Sequence, residues 1–187
     1  MGYSGGTKPN PTYLDLGDHS ETIQIDYDPR KISYEQLLEV FWQGHAPGTP
    51  AWSRQYRAAV FYHNEEQKNL ALKTRDQVAA RIKGRVFTEI LPASRFYPAE
   101  DYHQKYFLRQ VPELLREFGV LYPRGEDLVA STAAARVNGY VAGYGALPGL
   151  RAQLPGLGLS ESGAKQLLSL VRATAPAEAS PGCPLVR

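Results

Sequence analysis

Between Thr22 and Tyr27, apolar Ile23, Ile25 and Tyr27 alternate with polar Thr22, Gln24 and Asp26, the two-residue period of a half-buried strand. A chain that switches between this period and helical spacing buries both kinds of apolar face best as layered helix and sheet. Asp28-Pro29 turns the chain, Ser33 and Gln36 stand at capping-box spacing, and Ile32 is placed to staple onto Leu37. The spacing predicts a helix from Tyr34 to about Gln43, with Leu37, Leu38 and Phe41 facing the core and an end near Gly44. The β-rich run Tyr56 to Tyr62 predicts a buried strand. Asn64 and Gln67 repeat the capping-box spacing and open a long helix to about Lys83, and Val86 to Leu91 reads as a further strand stopped by Pro92. Val111, Leu114, Leu115 and Phe118 then fall at helical spacing. The order β-α-β-α-β predicts an α/β sandwich.

The character changes after about Arg124. An Ala-rich stretch, glycines at 139, 143, 145 and 149, a helical pattern from Glu161 to Val171 and a Pro/Ala/Ser tail follow. The expected organisation is a main domain over 1–124, a helical appendage over 125–173 and a disordered tail over 174–187. A formal net charge of +2 with no block of like charges argues against a nucleic-acid surface. The single cysteine, Cys183, gives neither a disulfide framework nor a zinc pattern, which suits a reducing compartment. The apolar runs fall short of a membrane span. A cytoplasmic monomer is the expectation, with an upstream targeting signal left open.

Five motifs occur in order: Gly2-Tyr3-Ser4-Gly5-Gly6, Asn10-Pro11-Thr12-Tyr13, His19-Ser20-Glu21, Gln55-Tyr56-Arg57 and the run Phe96 to Tyr106. Together they resemble the A-type peptide methionine sulfoxide reductases, over residues 2 to about 110. The resemblance implies a two-layer α+β sandwich whose first β-α unit is missing here, together with its Gly-Cys-Phe-Trp-Gly nucleophile motif. It further implies reduction of methionine sulfoxide in proteins, with thioredoxin as external reductant and no bound cofactor.

Carried over residue by residue, the resemblance makes Glu21 the proton donor. A glutamate at the mouth of a strand beside aromatics loses hydration, which favours its protonated, donating form; the plainer alternative is an exposed strand-start carboxylate. Tyr13 and Tyr56 fall on the family's pocket tyrosines, whose phenols bond the sulfoxide oxygen while the rings wall a slot for the methyl group; most of the twelve tyrosines must instead be structural. Trp52 is a further candidate for that slot, against ordinary packing in a loop. Cys183 stands where many members keep a resolving thiol, against a free thiol with no role. Glu100, Asp101 and His103 do not complete a metal site, so no metal is expected, and Asp101 is assigned to hydrogen bonds with the pocket.

Two departures stand out. Ala51 occupies the place of the family's pocket aspartate, and His45-Ala46-Pro47 replaces its usual His-Asp-Pro. Two readings follow: a reductase recorded without its nucleophile-bearing unit, and so inactive as this chain alone, or a non-catalytic module of the same fold that binds methionyl peptides. If the first holds, two origins of the start at Met1 are open. One is a selenocysteine codon upstream read as a stop; the other is a missing exon.

Overall fold

The computed structural model describes residues 1–174; Cys183 and the rest of the tail lie outside the described residues. Contacts divide the chain after Glu100 into two compact units.

The first unit carries β1 (Gly2–Ser4), β2 (Ser20–Thr22), α1 (Tyr34–Gln43), β3 (Ala59–Tyr62), α2 (Glu65–Ile82), β4 (Glu89–Pro92) and β5 (Tyr97–Pro98). Strand β1 is the centre of a three-stranded antiparallel sheet: Tyr3 faces Glu21 of β2 on one side and Tyr97 of β5 on the other. A separate two-stranded sheet pairs β3 with β4 in parallel, Val60 opposite Ile90, and α2 supplies the crossover that a parallel pair requires. Mixed helix and small sheets bear out the expected fold class.

Both helices of this unit start where the spacing predicts. The Ser33 hydroxyl accepts from Gln36 N–H while the Gln36 side chain accepts from Ser33 N–H, and Asn64 caps α2 through Gln67 N–H. The buried face of α1 is Leu38 and Trp42, and it meets Val60, Ala71 and Val78. Trp42 Nε1–H donates to Thr74 Oγ1 at 2.9 Å, and Thr74 in turn donates to the Ala71 carbonyl at 3.1 Å. The indole therefore enters the core without leaving an unpaired donor, an omission that costs about 1–3 kcal/mol. Of the other residues expected in the core, Phe41 is half-buried and packs against this cluster, and Leu37 is half-buried and lines a groove that Leu38 and Phe41 also border.

The strands depart from the sequence reading. The predicted strand Thr22 to Tyr27 closes after Thr22, and Ile23 and Ile25 remain 67% and 53% exposed. Among the described residues β2 pairs with β1 alone, so the residues that follow it meet there no partner whose cross-strand contacts would hold them extended. The predicted strand from Tyr56 begins only at Ala59, because Arg54–Tyr56 forms a 3-10 turn, and Val60 is its one fully buried residue. Strand β4 starts three residues later than predicted, at Glu89, and takes in Pro92 at its end.

The second unit is helical throughout: α3 (Tyr106–Arg109), α4 (Pro112–Leu121), α5 (Gly125–Ala130), α6 (Thr132–Val141), α7 (Leu147–Gln153) and α8 (Glu161–Thr174). It has its own core, in which Leu108, Leu114, Phe118, Val137, Leu150 and Leu167 are fully buried. Glu117 of α4 accepts from both the backbone N–H and the hydroxyl of Ser160, just ahead of α8. The helical spacing of Val111 to Phe118 thus belongs to this core.

The loop between β1 and β2 is braced by Asp18. Its carboxylate accepts from Thr7 N–H at 2.8 and 2.9 Å, from the Thr7 hydroxyl at 3.0 Å and from Lys8 N–H at 3.2 Å. The Thr7 backbone bond chiefly, then Lys8 and the hydroxyl, outweigh partial desolvation and lower its pKa from 3.8 to about 2. A depressed carboxyl stabilises the fold above its unfolded pKa, and that contribution disappears as pH falls through the folded value. The Asp18 side-chain carbon signal in an NMR titration should therefore turn over near pH 2, with loop 7–8 loosening there. A midpoint at the ordinary 3.8 would show that the brace does not form in solution.

Candidate functional site

The site gathers where β2, the 3-10 turn and the Pro11–Leu16 loop meet. Glu21 follows buried Ser20 on β2 and is half-buried, with its Oε1 accepting from Gln55 Nε2–H at 2.7 Å. Gln55 and Tyr56 sit on the short 3-10 turn, which throws both side chains back toward β2. Tyr13 lies in a tight turn closed by reciprocal backbone bonds between Thr12 and Asp15. The Tyr56 phenol is raised above the usual tyrosine value, first by loss of hydration, then by the charge of Glu21, then by Tyr13, with which it shares a hydrogen bond. The Glu21 charge and the Tyr13 hydrogen bond act at short range, so Tyr13, Glu21 and Tyr56 form one cluster. Tyr56 consequently stays a proton-bearing donor through the physiological range.

The cluster is open to solvent. Tyr13 is 38% and Tyr56 43% exposed. The Trp52 ring lies against Tyr56 at 4.9 Å between centroids and is 82% exposed, so it forms a rim to the cluster. Ala51 beside it is exposed and contributes no polar group.

Behind these three side chains stands a set of positioning residues that sequence reasoning passed over. Glu100 is the most telling. One of its oxygens accepts from the Tyr3 hydroxyl at 2.6 Å and the other from Tyr13 N–H at 3.0 Å, so it anchors the Tyr13 turn to β1. The assignment of pocket hydrogen bonding to Asp101 is corrected here: its neighbour Glu100 does that work. Arg57 is 9% exposed and donates to the Ser20 hydroxyl at 2.7 Å, to the Gly5 carbonyl at 3.0 Å and to Glu89 at 3.1 Å. Ser20 passes the link on by donating to the Arg54 carbonyl at 3.0 Å. His19 is buried, with Nε2 donating to the Lys8 carbonyl and Nδ1 accepting from Gly6 N–H, which fixes its neutral tautomer.

These contacts explain Gly5 and Gly6 of the first motif. Gly5 has φ +80°, and a Cβ there would come within 2.5 Å of the Arg57 guanidinium and 2.6 Å of the Phe61 ring. At Gly6 it would meet His19 N and Asp18 at 2.6 Å. The signal for Arg57, Ser20, His19 and Glu100 was present in the sequence, since each sits inside one of the five motifs. Their roles were not, because all of them act across long sequence separations. Among the described residues no group of three His, Cys, Asp or Glu side chains is placed to hold a metal ion.

Comparison with known proteins matches this arrangement. A family model described as peptide methionine sulfoxide reductase covers residues 1–122, and one described as selenoprotein methionine sulfoxide reductase A, helical domain, covers 124–171. The peptide methionine sulfoxide reductase of Drosophila melanogaster is 40% identical over 162 residues, 86% of this chain and 65% of that protein. Peptide methionine sulfoxide reductase A5 of Oryza sativa subsp. japonica is 42% identical over 148 residues, 76% of this chain and 58% of that protein. The chain therefore spans less than two thirds of the length of either. The crystal structure of Mxr1 from Saccharomyces cerevisiae in reduced form superposes with a TM-score of 0.54 at 27% identity, over 60% of this chain and 70% of that one. By the extent of these matches, with the five motifs assembled around one cluster, the chain belongs to the peptide methionine sulfoxide reductase family.

Proposed function

We propose that residues 1–122 form the substrate-positioning and proton-donating part of a peptide-methionine (S)-S-oxide reductase, which returns methionine sulfoxide in proteins to methionine. The observation that carries this reading is the convergence of Tyr13, Glu21 and Tyr56 at a solvent-open cluster in a chain of this family.

Each group has a task that its chemistry suits. The two phenols hydrogen-bond the sulfoxide oxygen while their rings, with Trp52 at the rim, give the methyl group an apolar wall. Glu21, held by Gln55, delivers a proton to that oxygen as a thiolate or selenolate attacks the sulfur. Oxygen passes to the nucleophile as its sulfenic or selenenic acid, and methionine leaves with the electron pair. A resolving thiol of the protein then condenses with that acid and the oxygen departs as water; thioredoxin's two thiols reduce the bond so formed and themselves become a disulfide, so no bound cofactor takes part. The nucleophile belongs to a Gly-Cys-Phe-Trp-Gly segment that this sequence does not contain. The match of 124–171 to a helical domain described for selenoproteins favours selenocysteine at its second position. Cys183 would serve as the resolving thiol, and the single cysteine suits a monomer working in the reducing cytoplasm.

The 187-residue chain by itself should give no thioredoxin-coupled turnover of a methionine sulfoxide peptide above that of its Cys183→Ala variant. Clear turnover dependent on Cys183 would overturn the assignment of the nucleophile.

In a chain extended upstream with the nucleophile segment, Glu21→Gln should lower kcat by about 100-fold or more while KM changes little, since proton donation matters chiefly in the transition state. A rise in KM with kcat preserved would make Glu21 a binding group.

A further inference from the structure

Four large side chains with apolar surface form a linked series in the first unit. Trp52 lies against Tyr56 at 4.9 Å between ring centroids, Tyr56 shares a hydrogen bond with Tyr13, and Leu14 follows Tyr13 in its turn. Exposure rises from the middle of the series to its ends: 38% and 43% at the two tyrosines, 82% at Trp52 and 93% at Leu14. Single exposed apolar residues are ordinary on protein surfaces, whereas a contiguous series marks a contact surface. Neither end is loose. The Leu14 turn is closed by the paired backbone bonds of Thr12 and Asp15, tied through Tyr13 N–H to Glu100, held by the Lys8–Asp15 ion pair and anchored by buried Leu16. Trp52 is backed by the Tyr56 ring, so the indole is supported on one side and open on the other.

We propose, on the reading that this cluster binds methionine sulfoxide, that Trp52 and Leu14 are the specificity-determining ends of the site and take apolar side chains two positions before and after the sulfoxide in an extended polypeptide. The middle of the series fixes the place of the sulfoxide, because its oxygen goes to the two phenols. In an extended chain the side chains alternate between faces, so the residues that share the sulfoxide's face are its second neighbours, roughly 7 Å away on either side. Trp52 stands one ring beyond Tyr56 and Leu14 one residue beyond Tyr13, within reach of those two neighbours. Neither end carries a charge, so the neighbours it selects are apolar. A segment with methionine between alternating apolar residues is a buried strand in a folded protein, and it enters an open site only after unfolding. The substrate class is therefore methionine sulfoxide from the opened cores of damaged proteins rather than from their surfaces.

The test compares two heptapeptides of one composition against the whole 187-residue chain. Both have methionine (S)-sulfoxide at the centre, two leucines and otherwise serine; one carries the leucines two positions from the sulfoxide, the other directly beside it. Calorimetry should show saturable binding of the first and about tenfold weaker binding of the second. Trp52→Ala and Leu14→Ser, both at exposed positions, should each shrink the ratio of the two affinities by about threefold. Weakening of both peptides alike would make these residues structural supports and overturn the inference. The chain extended upstream with the nucleophile segment should rank the peptides in the same order by kcat/KM. Turnover without a preference would overturn this inference and leave the reductase reading standing; a preference in binding without turnover would support it while the reductase reading fell. Absence of saturable binding, equal affinities, or shielding of Trp52 from acrylamide in the extended chain before peptide is added would each overturn it. So would self-association of the chain that Trp52→Ala abolishes.

Discussion

The buried guanidinium of Arg57 is the contact on which the first unit turns. The β1/β2/β5 sheet and the β3/β4 sheet share no strand pairing, and Arg57 reaches Ser20 of the one, Gly5 just beyond its β1, and Glu89 of the other. Hydrogen bonds from a charged donor are the strong ones, at about 1.5–3 kcal/mol each, and here three of them leave a single fork. Gly5 is a glycine because the fork and Phe61 leave no room for a side chain. Ser20 is buried because it completes the fork, and by bonding Arg54 it also sets the turn that presents Gln55 and Tyr56. The residue beside Ser20 is Glu21 and the residue before Arg57 is Tyr56, so one structural knot aims two members of the cluster. The third, Tyr13, is aimed by Glu100 through its backbone.

The helices were legible because their signals are local. A capping box, a staple and a stripe of apolar residues all lie within one or two turns, and α1 and α2 start where those signals stand. The strands were less legible because a strand is defined by a neighbour. Thr22 to Tyr27 has the composition and alternation of a strand, yet only its first residue lies in β2, which among the described residues pairs with β1 alone. The second unit was legible as helices but not as a core, since the joining of α4 to α8 through Glu117 and Ser160 spans more than forty residues.

At the site, the sequence motifs singled out three side chains that the structure brings together, and did not show which residues hold them. Glu21, Tyr13 and Tyr56 were singled out through the company they keep. Arg57, Ser20 and Glu100 sat in the same motifs, but nothing in their spacing tells which acceptor or donor each will meet. The dense run at Phe96 to Tyr106 illustrates the difficulty: its carboxylates suggest chemistry, whereas Glu100 spends both oxygens on Tyr3 and Tyr13.

The central claim is that Tyr13, Glu21 and Tyr56 act as one electrostatically coupled site. With tyrosine labelled at its phenolic carbon, the titration of Tyr56 can be followed by NMR in this chain without any turnover. Desolvation, the Glu21 charge and Tyr13 all raise Tyr56 above its ordinary value of 10.0. Replacing Glu21 by Gln removes a negative charge that opposes ionisation, so the Tyr56 midpoint should begin above 10.0 and fall in the variant. Tyr13→Phe should lower it as well. A Tyr56 midpoint at 10.0 that neither substitution moves would contradict the account.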